Sequence, residues 1–95
     1  MKEISQIPEE GNTLIVFWAP WCDVCTQVKA FLTQNRSNIA DCVDIVGCNI
    51  DQHPDLVGHY SILALPTTIF FKEGKEKGRL VGSFTREYLD DLIES

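Results

Sequence analysis

The chain has no run of basic residues. Eight lysines and arginines stand against fourteen aspartates and glutamates, a net charge of −6. The nearest thing to a basic cluster is the mixed stretch Lys72-Glu73-Gly74-Lys75-Glu76-Lys77. Binding to nucleic acid or to an anionic membrane surface is not expected, because either asks for a positive face. Long apolar runs are missing as well. The longest, Thr13 to Pro20, falls far short of the roughly 20 residues that span a bilayer. The N-terminal MKEISQIPEE lacks the apolar centre of a signal peptide, so a cytoplasmic location is expected. There are no repeats, no low-complexity stretch and no linker. Histidine is scarce, and neither His53 nor His59 has a partner at ligand spacing. No metal or organic cofactor is expected.

What is there reads as one α/β domain over residues 1–95, with 44% hydrophobic and 23% charged residues. Leu14 to Ala19 is a continuous apolar run, which suits a strand buried on both faces. After Pro20 the apolar spacing changes. Val24, Val28, Phe31 and Leu32 fall at helical intervals, predicting an amphipathic helix from Cys22 to about residue 35. Cys42 to Asp51 is β-branched and apolar, a second strand. Pro54 opens a short helix. Thr67 to Phe71 is a third strand, Lys72 to Gly78 a hairpin connection, and Arg79 to Phe84 a fourth strand. Thr85 caps a last helix with Tyr88, Leu89, Leu92 and Ile93 along one face. The helix between the first two strands implies a parallel pair with a right-handed crossover. The hairpin makes the last two antiparallel, so the sheet is mixed.

Two of the four cysteines, Cys22 and Cys25, lie where the first strand feeds the first helix. Residues three apart on a helix have Cβ atoms about 5–6 Å from each other, so little movement closes a disulfide. A helix N-terminus offers free N–H groups and partial positive charge. Both favour a thiolate, the nucleophilic form. Cys22 comes first and is expected to be the exposed attacker. Cys25, one turn in, is expected to be buried and to resolve. Cys42 and Cys48 lie six residues apart on an expected strand, about 20 Å at strand rise. They can neither bridge each other nor complete a metal site with the first pair, and are read as small buried apolar side chains.

Trp18-Ala19-Pro20-Trp21-Cys22-Asp23-Val24-Cys25 resembles the active site of thioredoxins. The likeness continues through Asn49-Ile50-Asp51-Gln52-His53-Pro54, Leu65-Pro66-Thr67, Phe70-Phe71-Lys72-Glu73-Gly74 and Val81-Gly82, from about Gly11 to the C-terminus. The resemblance implies a thioredoxin-like α/β fold, with a central mixed four-stranded sheet flanked by helices. It implies a cis Pro66 facing the cysteines and a Leu65 backbone that pairs with an extended substrate segment. It also implies a shallow apolar groove formed by Trp21, Leu65, Pro66 and Gly82 around Cys22. Some positions depart from the family. Asp23-Val24 replaces the usual Gly-Pro, and Ala30 replaces a mid-helix proline. Val16 and Gly47 stand where the family has a buried Asp–Lys pair, so nothing ionisable is expected behind Cys25. The family's first strand and most of its first helix are expected to be absent, with Ile4 and Ile7 supplying at most one helical turn. The strand holding Cys42 and Cys48 is then expected at a sheet edge.

These features together point to a monomeric thiol–disulfide oxidoreductase that reduces protein disulfides through Cys22 and Cys25. Its partners are disulfide-bearing proteins, and a thioredoxin reductase or the glutathione system for recycling. Two other readings use the same residues: a glutaredoxin-like dedicated electron donor, and a redox-inactive module that keeps only the peptide groove.

Overall fold

The computed structural model describes residues 1–39 and 41–94. Its centre is the strand β2 (Asn12–Trp18). Leu14, Ile15, Val16 and Phe17 are fully buried, apolar in succession because both faces of the strand are covered. Leu14 and Val16 share one core with Val28 and Leu32 of α1 (Asp23–Gln34) and with Leu89 and Leu92 of α3 (Arg86–Glu94). Ile15 and Phe17 point the other way. Their core includes Ile62 and, at its margin, Leu56 and Val57 of α2 (Pro54–His59). Each such side chain contributes about 1.5–3 kcal/mol by its removal from water.

The other strands are β1 (Lys2–Glu3), β3 (Val43–Asn49), β4 (Thr67–Lys72) and β5 (Lys75–Val81), in the sheet order β1-β3-β2-β4-β5. β2 runs parallel to β3, with Val16 opposite Gly47, and antiparallel to β4, with Val16 opposite Thr68. α1 makes the crossover from β2 to β3. The C-terminal end of β2, the start of α1 and the start of β4 therefore meet at one end of the sheet. α1 runs uninterrupted through Ala30.

The sheet has five strands, where the sequence suggested four. Lys2 and Glu3 pair in parallel with Val46 and Gly47 of β3, and the Ile4 N–H donates to the Gly47 carbonyl at 2.9 Å. β3 is thus an inner strand. Ile4 and Ile7 form no helical turn and pack against the Ile15–Phe17 core. A two-residue strand has too little length to show a period of two, so hydrophobic pattern cannot reveal it. The hairpin is also tighter than expected. Only Glu73 and Gly74 lie between the strands, with φ of 52° and 79°, the two positive values of a type I′ turn. β5 consequently starts at Lys75 and stops at Val81, leaving Gly82 to Phe84 outside it. Its charged first half suits an edge strand, which charges protect from pairing with other chains, but it disguises the strand in the sequence.

Thr85 caps α3, its hydroxyl accepting the Tyr88 N–H at 3.5 Å. Tyr88 itself is 61% exposed and leaves the apolar face to Leu89, Leu92 and Ile93. The two remaining cysteines differ from each other. Cys42 precedes β3 and is exposed, contrary to the buried position expected; Cys48 is buried.

Burial pushes the Cys48 thiol up from 9.0 to about 11, and the negative charges of Glu3 and Asp55 add to the effect. A folded-state pKa above the unfolded value contributes stability that is complete below about 9 and is lost as the pH rises through about 11. At about 1.4 kcal/mol per pH unit, urea unfolding between these limits is expected to lose on the order of 2 kcal/mol more in the native sequence than in Cys48→Ala. A thiol reagent is expected to modify Cys42 promptly and Cys48 only on unfolding. Prompt modification of both thiols in the folded protein would contradict this.

Candidate active site

β2 ends at Trp18, and Ala19 to Cys22 turn the chain into α1. The Cys22 N–H donates to the Ala19 carbonyl at 3.1 Å, which fixes that turn. Cys22 is the N-cap of α1, in extended conformation, and its Sγ accepts the Cys25 N–H at 3.2 Å. A sulfur thus fills the role that a serine or aspartate oxygen has at other helix starts. That N–H also favours negative charge on Cys22 Sγ. Cys22 and Cys25 are joined as a disulfide, with Cα atoms 5.3 Å apart. Their surroundings differ. Cys22 is partly exposed, whereas Cys25 is 0% exposed and shares the buried stripe of α1 with Val28 and Leu32. Asp23 is exposed at the first position of the helix, where its charge suits the helix dipole.

Beside Cys22 lies a shallow apolar groove lined by Trp21, Ile50, Ile62, Leu63 and Leu65. Trp21 is 67% and Leu63 94% exposed, an unusual amount of apolar surface to leave beside a thiol pair. The Leu65–Pro66 peptide is cis. Of the four residues that the sequence nominated for the groove, Trp21 and Leu65 line it. Pro66 and Gly82 are not among its lining residues: Pro66 is buried, and the Gly82 N–H donates to the Pro66 carbonyl at 2.8 Å. Neither the N–H nor the carbonyl of Leu65 has a hydrogen-bond partner among the described residues.

One residue of this site was not singled out by the sequence. The Trp21 indole N–H donates to the Asp51 carboxylate, 3.2 Å from Oδ2, and Asp51 is itself placed by its N–H donating to Asn49 Oδ1 at 3.0 Å. The signal lay in the Asn49-Ile50-Asp51 stretch that carries part of the family likeness.

The region behind Cys25 is apolar at Val16, as expected, but a carboxylate returns nearby. Gly47 has no side chain, and the Glu3 carboxylate occupies the space its Cβ would take. From there Glu3 Oε1 accepts the Trp18 indole N–H at 2.8 Å. Lys29 Nζ lies 3.9 Å from Glu3 Oε2 and 3.4 Å from the Trp18 ring centroid. An ionisable group thus stands in the space over Gly47, while the position of Val16 stays apolar. The charge sits at the rim of the sheet, on a side chain 41% exposed, and comes from β1, the strand that the sequence concealed.

Two thiols that one helical turn can join, one partly open to solvent and one sealed, are the equipment of a dithiol–disulfide oxidoreductase. Comparison with known proteins places the chain more closely. The family model described as Thioredoxin matches residues 1–95, and the chain belongs to that family. The chain is 35% identical over 81 residues to the chloroplastic thioredoxin M4 of Arabidopsis thaliana, covering 85% of this chain but 42% of that protein. It is 29% identical over 86 residues to a thioredoxin of Staphylococcus aureus, covering 90% of this chain and 83% of that one. Among solved structures, oxidised mitochondrial thioredoxin 3 of Saccharomyces cerevisiae has the same fold at a TM-score of 0.82, with 24% identity over 99% of this chain and 93% of that one. A Malassezia sympodialis thioredoxin follows at 0.81, with 22% identity over 98% and 88%.

The full burial of Val16 sets a quantitative expectation. A carboxylate there would be buried on the same side of the sheet as Glu3, whose negative charge opposes it and which already engages Lys29. Val16→Asp is expected to destabilise the fold by about 3–5 kcal/mol at neutral pH, the range for an uncompensated buried charge. Its carboxyl is expected to titrate well above the usual range. Denaturant unfolding across pH checks both; a variant as stable as the native chain at pH 7 would contradict them.

Proposed function

We propose that this protein reduces disulfides in other proteins, with Cys22 as the attacking and Cys25 as the resolving thiol. The observation that carries the proposal is the asymmetry of the pair. Cys22 opens on the apolar groove and holds a backbone N–H, while Cys25 has no exposed surface. The Cys22 thiolate attacks a sulfur of the substrate disulfide, forming a mixed disulfide and releasing one substrate thiolate. Cys25, deprotonated, then attacks Cys22 Sγ. The second substrate thiolate leaves, and the Cys22–Cys25 bond forms. The two electrons lost by the protein's dithiol are those gained by the substrate.

The groove supports a protein substrate. Trp21 and Leu63 offer apolar contact, and the unpartnered Leu65 backbone offers an extended chain two hydrogen bonds in the manner of an added strand. Recycling requires a dithiol or thiol donor of two electrons, from a thioredoxin reductase or the glutathione system. The protein acts as a monomer in the cytoplasm on this reading.

Trapping tests the roles. Cys25→Ser is expected to accumulate mixed disulfides through Cys22, since nothing resolves them, and Cys22→Ser to accumulate none. Equal capture by Cys25 in Cys22→Ser would reverse the assignment. For the groove, Trp21→Ala is expected to slow reduction of a protein disulfide about tenfold, the loss of about 1.4 kcal/mol of binding. Reduction of a small aromatic disulfide should change little. Equal slowing of both would mean that Trp21 shapes the thiol site and does not receive the substrate.

A further inference from the structure

Thr67 and Thr68 follow the cis proline, and both are buried, at 1% and 0% exposure. Their hydroxyls fare differently. Thr67 Oγ1 donates to the Ala64 carbonyl at 2.7 Å. Thr68 Oγ1 is the one buried side-chain nitrogen or oxygen without a hydrogen-bond partner among the described residues. An orphaned buried hydroxyl is costly, and valine would fill the same space without that cost. The position therefore asks for a partner that the disulfide form does not supply.

The fold indicates which. Thr68 stands opposite Val16 in the β2–β4 ladder. Phe70, two residues further, lies in the core with Val28 and Leu32, so by strand alternation Thr68 faces α1. α1 runs back along β2 from the end where β2 stops. Its buried stripe of Cys25, Val28 and Leu32 therefore crosses the sheet with Cys25 first, at the end where Val16 and Thr68 pair. Of the charged groups on this side, Glu3 and Lys29 are engaged with Trp18 and with each other, and Arg86 of α3 with Asp90 and the Asn38 carbonyl.

We infer that the Thr68 hydroxyl is the hydrogen-bond partner of the Cys25 sulfur in the dithiol form. Reduction delivers two electrons and two protons, breaks the Sγ–Sγ bond, and leaves Cys25 as a buried thiol with no second sulfur bonded to it. The hydroxyl accepts from the thiol S–H and, once Cys25 loses its proton for the resolving attack, donates to the thiolate. The contact exists in one redox state and is missing in the other, so it draws the equilibrium toward the dithiol. This rests on Cys22 and Cys25 being the working pair.

The test is the equilibrium of Cys22–Cys25 with defined mixtures of reduced and oxidised glutathione, scored by alkylation and mass, for the native chain, Thr68→Val and Thr68→Ser. Thr68→Val is expected to disfavour the dithiol about tenfold, a potential about 30 mV more negative. Thr68→Ser is expected to stay within about threefold of the native chain, because it keeps the hydroxyl. Oxidised Thr68→Val is expected to melt above the oxidised native protein, since it removes an unsatisfied group. In the reduced native protein, the Thr68 hydroxyl proton is expected to exchange with water slowly enough to be seen by NMR. A native-like equilibrium for Thr68→Val, or fast exchange of that proton in the reduced form, would overturn the inference while leaving the oxidoreductase reading intact. A native chain that never exchanges Cys22–Cys25 with glutathione at all would sink both.

Discussion

The structure depends on the enclosure of β2. This strand is paired on both edges, by β3 and β4, and covered on both faces by helices and their side chains. Such a strand has no freedom to slide, since a shift of one residue would turn Leu14 and Val16 into the opposite core and expose a mismatch along both ladders. Its C-terminal end is consequently held from both edges and both faces. Everything chemical is attached there: the turn through Ala19 to Cys22, the first turn of α1, and the start of β4 behind the cis proline.

The unequal roles of two chemically identical residues follow from helix geometry. The stripe of α1 that meets the sheet contains Cys25, Val28 and Leu32. Cys22 lies just outside the helix, where the chain has not yet taken helical dihedrals, and so falls beside the groove and not under the helix. An N-cap is where a side-chain acceptor meets free N–H groups. A cysteine at this one position gains a donor and partial exposure together, and no residue three positions later could have both. Trp21 then needs an anchor if it is to present a defined surface, and Asp51, from the loop after β3, holds its indole. The groove is thus assembled from three separate connections, all of them leaving the same end of the sheet.

Long apolar stretches and turn residues made much of this legible. Leu14 to Ala19 announced a doubly covered strand, the spacing of Val28 and Leu32 a helix face, and Pro54 and Thr85 two helix starts. The cysteine spacing at a strand-to-helix turn carried the chemistry. What escaped was decided by partners far away in sequence. Lys2 and Glu3 form a strand only because β3 offers an open edge and Gly47 an open space. Lys75 to Lys77 look like a loop because an edge strand is allowed to be charged. Cys42 looks like a strand residue because local composition cannot say that the ladder with β2 starts at Val43. The orientation of Trp21 toward Asp51 is a side-chain contact across 30 residues, for which a single sequence has only the motif as a clue.

The distribution of polar groups behind the cysteines obeys one energetic rule. A carboxylate in the fully buried place of Val16 would give up its hydration, with the negative charge of Glu3 on the same side of the sheet, at a cost of several kcal/mol. At the sheet rim the same group keeps part of its water, accepts from an indole and lies near an ammonium. Glu3 stands there, and Gly47 makes the room: any side chain at that residue would have to displace the Glu3 carboxylate. β1 is therefore more than an edge cover. It delivers the Glu3 carboxylate to Trp18, the residue from which the active-site turn departs, and Lys29 ties that contact to α1. The buried polar side chains among the described residues are neutral threonines, Thr13, Thr67 and Thr68, and a hydroxyl such as that of Thr68 can donate or accept without carrying charge. A site arranged in this way separates two tasks. Charge remains where water can reach it and orients the frame, while the sealed sulfur is left among apolar side chains and one neutral oxygen.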